Sequence, residues 1–474
     1  MFKKIWNSPT LTTWLSYSTQ LLNIFGILPL VLKNFTPGDT SIWYLFTTII
    51  SLQYMADFGF RQTFSRTVSY AFGGATDIST FSSAQTFSIA TTFEPNKVLL
   101  NRIVVVMRYI YLRLTVGLFI LMSVFGTWAM AKPISQSSSH SQAWSAWIVV
   151  LFVSCISFWG KMYLNFMEGL YKIAVVRRVE IFTSLGSMLT CIAVLLFRPS
   201  LLNLVIANQF WILVVAGRDW YLCTHTENGL YKSFVKLPFD RELFLKIWQS
   251  AWRSGISGFL GFGLTNLAGI VYAQVATSVE VASFLLAQRL IDQIKVVSMA
   301  PVYSNIPLLA RLRVQNNMAK FTKIVKKSML ISHAVFVTGF ICVGLFSKYL
   351  LTLIHSHVPF VPQLLWIFLG LAYFIHRYGA MHMQVYLTTN HVISHIADGV
   401  SGLIYVISAI VLSKFIGVYA IPTAMIMGYL GFYSWYAAIY SYRSINTGFW
   451  KLERDTVALP FLMLVLYVVY QVAK

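Results

Sequence analysis

Runs of about 20 mostly apolar residues, the length a helix needs to cross a bilayer, follow one another through most of this chain. They lie near residues 13–32, 41–60, 104–130, 145–169, 179–197 and 201–217, then 251–273, 281–306, 328–350, 362–387, 394–413 and 418–440. A last apolar segment, "TVALPFLMLVLYVVY", covers 456–470. Hydrocarbon offers no hydrogen bonds, so segments of this length satisfy their backbone internally, as helices. A soluble alternative is excluded by composition. Of 474 residues, 57% are hydrophobic and 11% charged, with a mean hydropathy of +0.68, whereas a soluble domain carries about 25% charge. The expected fold is an all-α polytopic membrane protein with two six-helix lobes and an extra C-terminal apolar helix. The corresponding boundaries are an N-terminal lobe over 1–217, a cytoplasmic connector over 218–246, a C-terminal lobe over 247–440, and a cytoplasmic segment with the terminal helix over 441–474.

A net charge of +21 invites a nucleic-acid reading, which its distribution refutes. With the N-terminus placed in the cytoplasm, 24 of the 36 Lys and Arg residues fall in inside segments, six in outside segments and six within or at the edges of spans. That asymmetry follows the positive-inside rule. The basic charge is an orientation signal, and no nucleic-acid partner is expected. Lys3 and Lys4 precede the first run as they would in a signal peptide, but "LPLVLKNFTPGDT" offers no small-residue cleavage site, so a retained helix is expected.

The outer loops are short, the longest being the serine-rich "KPISQSSSHSQAW" over 132–144. They leave no external domain in which water-side chemistry could be built. Inner loops are longer. Pro95 reads as the first helical position, and Lys97, Arg102, Arg108 and Arg113 then punctuate an interfacial approach to the third span. Cys155, Cys191, Cys223 and Cys342 show no CxxC spacing and read as small apolar core residues.

Ionisable groups at bilayer depth cost several kcal/mol, about 2.5–3.5 on insertion scales, so each requires a reason. The second run ends on "ADFGFRQTFSR", where Asp57, Arg61 and Arg66 stand at a cytoplasmic helix end; Asp57 and Arg61 have the spacing of a one-turn pair. In the fourth span Lys161, Asn165 and Glu168 recur at helical spacing below Ser154 and Ser157. They form either a lumen-lining face or a network between helices. In "LLAQRLIDQIKVV" of the eighth span, Gln288, Asp292 and Lys295 share a face, and Arg289 stands three residues before Asp292. An Arg–Asp pair there would leave one surplus cation. The tenth span carries Tyr373, Arg377 and Gln384 on one stripe, with His376 and His382 nearby and no carboxylate to pair Arg377. His391, His395 and Asp398 have a zinc-compatible spacing without further ligands, so a histidine-rich interface is the expected reading and no metal is assigned. Gly255, Gly258, Gly261 and Gly263 open the seventh span, where small residues let helices approach closely.

No G-x-x-x-x-G-K-[ST] loop, G-x-S-x-G elbow or H-E-x-x-H helix occurs, so neither an ATP-driven pump nor an enzyme of those classes is encoded. The first 75 residues resemble the Wzx-type O-antigen flippases of the multidrug/oligosaccharidyl-lipid/polysaccharide exporter (MOP) superfamily. The residues that carry the likeness are Pro29, the "IWYLFTTI" run, and "DFGF" followed by Arg66 and "SYAFGG". The six-plus-six layout extends it more diffusely over 1–440, and the segment 456–470 departs from twelve helices. The resemblance implies a V-shaped bundle, not an enzyme, that moves an undecaprenyl-diphosphate-linked oligosaccharide across the bacterial inner membrane by alternating access. The implied partners are that lipid-linked substrate, the bilayer, and the polymerase and chain-length-regulator proteins of polysaccharide assembly.

Arg suits bidentate phosphate contact. Lys161, Arg289, Lys295 and Arg377 are therefore expected to shield the diphosphate in a cationic cavity, with Arg61 and Arg66 as entrance contacts. Asp57, Glu168, Asp292 and Asp398 are the candidates for H+ or Na+ coupling, with no organic cofactor. Two rival readings are a small-molecule antiporter of the MATE type, which favours an acidic cavity for cationic substrates, and an O-antigen polymerase or ligase, which needs a larger external site. A purely structural partner in a glycan-assembly complex is the third.

Overall fold

The computed structural model describes residues 26–473 apart from 52, 58, 76–93, 171, 259–263, 304, 307–308, 310–311, 314–316, 390 and 392. Most of the first run, Gly261, Gly263 and Arg311 thus lie outside the described residues. Among those described, every regular element is helical, and the chain divides into two compact units, Met1–Phe259 and Leu260–Lys474.

In the first unit, a helical stretch over 26–34 precedes α1 (Pro37–Ser51), α2 (Gln53–Ala56) and α3 (Phe60–Phe72). Then come α4 (Lys97–Ser135), α5 (His140–Gly169), α6 (Ile173–Phe197), α7 (Leu201–His225) and α8 (Arg241–Gly258). The second unit holds α9 (Leu264–Ala273), α10 (Ser278–Tyr303), α11 (Met318–Leu353), α12 (Gln363–Leu387) and α13 (Ser394–Ile416). After a tight turn at Gly417–Tyr419 a helix runs over 420–445 through a π turn at Tyr429–Tyr433. We call it α14; α15 (Phe449–Thr456) and α16 (Ala458–Ala473) end the chain.

Local chemistry sets where these helices start. Ahead of α1, Thr36 Oγ1 accepts from Asp39 N at 3.2 Å and donates to Asp39 Oδ2 at 2.8 Å, a side-chain cap on the helix start. Ahead of α10, Glu280 Oε2 accepts from Thr277 N at 2.9 Å and Thr277 Oγ1 from Glu280 N at 3.4 Å, a capping box. Asn96 accepts from Leu99 N at 3.0 Å, Asp240 from Leu243 N at 3.0 Å and Asn317 from Lys320 N at 3.2 Å. Each of these side chains occupies a backbone donor that the helix itself cannot use. Asn96 is therefore the cap of α4, and Pro95 stands one residue before it rather than in the first turn. The second apolar run does not continue as one helix through Phe60, because Gly59 adopts φ 75°, a left-handed turn that only glycine takes without strain.

Among the described residues, seven helical stretches are long and apolar enough to cross a membrane, Lys97–Ser135, His140–Gly169 and Met318–Leu353 among them; one, Ser394–Ile445, contains the Gly417 turn. Other expected spans are shortened by breaks such as the Gly59 turn, or, like α10, carry Glu280, Arg289, Asp292 and Lys295 in one helix. Lipid tails are as apolar as leucine, so close packing and interhelical hydrogen bonds hold such helices together. A Cβ on Gly169 would lie 2.5 Å from Val68 on α3, and one on Gly370 of α12 would lie 2.2 Å from the Phe340 ring on α11. Both crossings require the missing side chain. The terminal helix α16 packs on α11, with Tyr467 edge-on to Phe340 at 5.5 Å and its hydroxyl 2.6 Å from Gln363 Nε2.

The polar stretch after residue 217 is folded against the first unit. α7 continues through it to His225, and a 3-10 turn follows at Glu227–Ser233. Lys172 pairs with Glu227 at 2.6 Å, Arg108 reaches the Tyr231 hydroxyl at 3.1 Å, and Arg102 pairs with Asp240 at 2.5 Å. Burial raises the Asp240 carboxyl, but the Leu243 N–H and the Arg102 guanidinium outweigh it and hold the group below the usual range.

Candidate functional site

Each unit contains its own polar cluster. In the first, the broken helix at Gly59 presents Asp57 beside α4 and α5. One Asp57 carboxylate oxygen accepts from Arg61 N at 2.8 Å, and the other accepts from the Tyr111 hydroxyl. Tyr111 in turn accepts from Asn165 Nδ2 at 2.5 Å. All three side chains are buried. The Arg61 guanidinium takes Glu168 in two-pronged fashion, Nη2 to Oε1 at 2.6 Å and Nε to Oε2 at 3.2 Å. Lys161 lies over the Phe158 ring at 5.2 Å and within electrostatic range of Asp57.

Five residues singled out from the sequence, Asp57, Arg61, Lys161, Asn165 and Glu168, thus come together in space. The Asp57 carboxylate engages the Arg61 backbone, while the Arg61 side chain turns to Glu168. Arg66, one turn and a half further along α3, is exposed.

In the second unit α10 and α12 bring their polar stripes together. Lys295 Nζ sits 3.2 Å from Asp292 and 5.1 Å from the Tyr373 ring centroid. Asp292 thus has Lys295 as an ion-pair partner one turn on along α10. Arg289 is half-buried on the same helix.

Arg377 is fully buried. Its Nη2 donates to Ser332 Oγ at 2.5 Å and to the Ser332 carbonyl at 3.1 Å, and its guanidinium stacks 4.7 Å from the Phe336 ring centroid. Nε and Nη1 have no hydrogen-bond partner among the described residues. A guanidinium held by a serine and an aromatic face, rather than by a carboxylate, keeps most of its charge uncompensated. His376 stacks on Tyr433 at 5.3 Å.

Asp398 lies half-buried on α13, but His391 precedes the helix, which begins at Ser394. The helical stripe of His391, His395 and Asp398 therefore does not form. Among the described residues no group of three or more His, Cys, Asp or Glu side chains is placed to hold a metal.

Residues that pattern reading passed over complete both clusters. Tyr111 looks like one more aromatic in a span, and Ser332 and His333 interrupt no periodicity. Glu453 lies in "KLERDT", which reads as a solvated loop. It is nevertheless buried, accepting from Tyr442 at 2.8 Å and Thr456 at 2.8 Å and lying 3.1 Å from His382 Nε2. The signal available was the amphipathic spacing of Leu452, Glu453 and Thr456, one face of a short helix.

No family model and no curated protein matches the chain. Solved structures do. An inward-facing multidrug resistance MATE family transporter of the MOP superfamily superposes with a TM-score of 0.66 at 13% identity, covering 93% of this chain and 95% of that one. The lipid II flippase MurJ in an inward closed conformation gives a TM-score of 0.63 at 12% identity, covering 98% and 93%. A MOP superfamily transporter from Pyrococcus furiosus, described as having a binding pocket of reverse polarity, gives 0.58 at 13% identity, covering 94% and 97%. At such identities the likeness is one of fold. The chain has the all-helical MATE/MurJ-like transporter fold of these MOP superfamily structures.

Proposed function

We propose that the chain is a flippase for a lipid-linked oligosaccharide of the undecaprenyl-diphosphate class, acting by alternating access in the bacterial inner membrane with its N-terminus in the cytoplasm. The observation that carries this reading is the sign of the charge at membrane depth. On α10 and α12, Arg289, Lys295 and Arg377 stand against one carboxylate, Asp292, beyond the Glu280 of the first helical turn. A diphosphate headgroup is drawn to such a field, and a cationic drug is repelled by it. The Wzx resemblance of the first 75 residues and the fold likeness to a lipid II flippase support the same reading. In it Lys161, Arg289, Lys295 and Arg377 contact the diphosphate, Arg61 and Arg66 meet it at the cytoplasmic mouth, and Asp57, Glu168, Asp292 or Asp398 couples the step to H+ or Na+. Polymerase and chain-length-regulator proteins of O-antigen or other surface polysaccharide assembly are the partners this implies.

A second reading, small-molecule antiport, is supported equally by the fold likeness to the MATE transporter. Deleting the gene in its host separates the two. Loss of surface glycan with accumulation of its lipid-linked precursor supports the flippase. Intact glycan together with new sensitivity to cationic drugs supports the antiporter.

A further inference from the structure

The short helix α15 has one face in the open, with Trp450 81% exposed, and one face buried, where Leu452 and Thr456 are 0% and Glu453 6% exposed. An acid on that face requires partners. Glu453 Oε1 accepts from the Tyr442 hydroxyl at 2.8 Å and Oε2 from Thr456 Oγ1 at 2.8 Å. Its remaining neighbour is His382 of α12, fully buried, with Nε2 at an ion-pair distance of 3.1 Å from Oε1 and neither ring nitrogen in a hydrogen bond among the described residues. Tyr378 continues the row, its hydroxyl 2.6 Å from that of Tyr442. Beyond it lies His333 of α11, also fully buried, with neither ring nitrogen partnered among the described residues. Arg377 of α12, on Ser332, closes the row.

We propose that His382 and Glu453 form a proton-binding site, and that proton uptake there fastens the C-terminal helices α15 and α16 to α12. Both oxygens of Glu453 accept hydrogen bonds, which favours the ionised carboxylate. Neutral His382 leaves the pair with one uncompensated negative charge in a dry setting; protonated His382 turns it into a contact ion pair. The ligand is a proton rather than a sodium ion, because the carboxylate's neighbours are two hydroxyl donors and an imidazole, whereas hard cations take several oxygen acceptors.

The other charged or titratable groups around the pair come from three further elements and from α12 and α15 themselves. Arg377 and Tyr378 lie on α12, and His333 and Lys326 on α11, where Lys326 pairs with Asp455 at 2.7 Å. Tyr442 lies on α14, Arg454 and Asp455 on α15, and Tyr303 of α10 acts on Arg377. This site is independent of which substrate is carried, so its failure would leave the proposed function standing.

The test is a titration of the full-length protein in lipid nanodiscs with 15N-labelled histidine, from about pH 5 to about pH 9, bracketing an ordinary imidazole. Among the titrating resonances of the nine histidines, one is expected to vanish in His382→Gln and to bind its proton about tenfold more weakly in Glu453→Gln, a one-unit shift. Amide exchange of α15, corrected for its intrinsic pH dependence, is expected to slow as the wild-type pair protonates and to lose that step in His382→Gln. This second reading needs only the wild-type protein if the Glu453 variant fails to fold. A His382 resonance that does not titrate, or α15 protection independent of pH in the wild type, would overturn the proposal.

Discussion

Arg61 and Glu168, 107 residues apart in the chain, meet as a two-pronged ion pair, Nη2 to Oε1 at 2.6 Å and Nε to Oε2 at 3.2 Å. The pair ties the start of α3 to the last turn of α5. Glu168 is the more enclosed partner, at 14% side-chain exposure against 38% for Arg61. In a double-mutant cycle with Arg61→Met and Glu168→Met, the coupling energy is expected to be about 1–2 kcal/mol, above the level of exposed pairs. Arg61→Lys keeps the charge but loses the fork, so it should retain less than half of that coupling. Thermal unfolding in detergent measures both; zero coupling would reduce the pair to a surface contact.

Tyr111→Phe removes a donor from the buried Asp57 carboxylate and an acceptor from Asn165. Leaving buried polar groups unmet should lower stability by about 1–3 kcal/mol. Asn165→Leu alone should cost less, since the Tyr111–Asp57 bond survives. Equal losses in the two variants would mean that the chain of bonds is not the stabilising unit.

Ser332→Ala removes the shorter of two bonds to the buried Arg377 guanidinium, the one to Ser332 Oγ, and leaves the one to the Ser332 carbonyl. A loss of about 1–3 kcal/mol is expected, the range for removing a hydrogen bond from a buried charged group. Arg377→Met in the same background should recover most of it by removing the charge. Failure of the second substitution to rescue stability would show that Ser332 acts by packing alone.

The Arg102–Asp240 pair gives a pH-dependent signature. The Asp240 carboxyl in the folded protein lies below its ordinary value, which is about 3.9 in a free chain. A depressed acid contributes stability that is fully present above the unfolded value and is lost as pH falls through the folded one. The stability difference between the wild type and Asp240→Asn should therefore be flat from neutral pH down to about pH 5 and shrink below about pH 4. The asparagine keeps the cap on Leu243, so the difference isolates the charge. A difference that grows on acidification would contradict the assignment.

Gly370→Ala places a methyl where the Phe340 ring stands 2.2 Å away. Both residues lie deep between α11 and α12, so the ring has to move, and a loss of about 1–3 kcal/mol is expected from overpacking. Phe340→Leu added to Gly370→Ala should restore part of it, as read by thermal unfolding.

The membrane helices were legible because a span needs only length and apolarity, both of which are written locally in the sequence. Helical spacing also found Lys161, Asn165 and Glu168 as one face, and that face meets Asp57 and Arg61. Pairing was less legible. Spacing offers Asp57 as the one-turn partner of Arg61, yet the Arg61 fork is on Glu168 and Asp57 engages the Arg61 backbone. Such choices depend on rotamer direction and on helices distant in sequence. Spacing also placed His391, His395 and Asp398 on one helical face, but the helix begins only at Ser394, so the period never applies to His391. Glu453 and Ser332 escaped notice because neither an acid in a charged segment nor a serine in a span breaks a pattern; only the packing of α15 and α11 on α12 makes them partners of His382 and Arg377.

The most direct test of the account is transport by the purified protein in liposomes. The probe is a fluorescent polyprenyl-diphosphate oligosaccharide placed in one leaflet, with ethidium as the cationic control. The account predicts that the protein speeds transbilayer movement of the diphosphate lipid well above protein-free vesicles, that Arg289→Ala slows it, and that ethidium is not moved. Ethidium transport with no acceleration of the diphosphate lipid would contradict it and establish the antiporter reading instead.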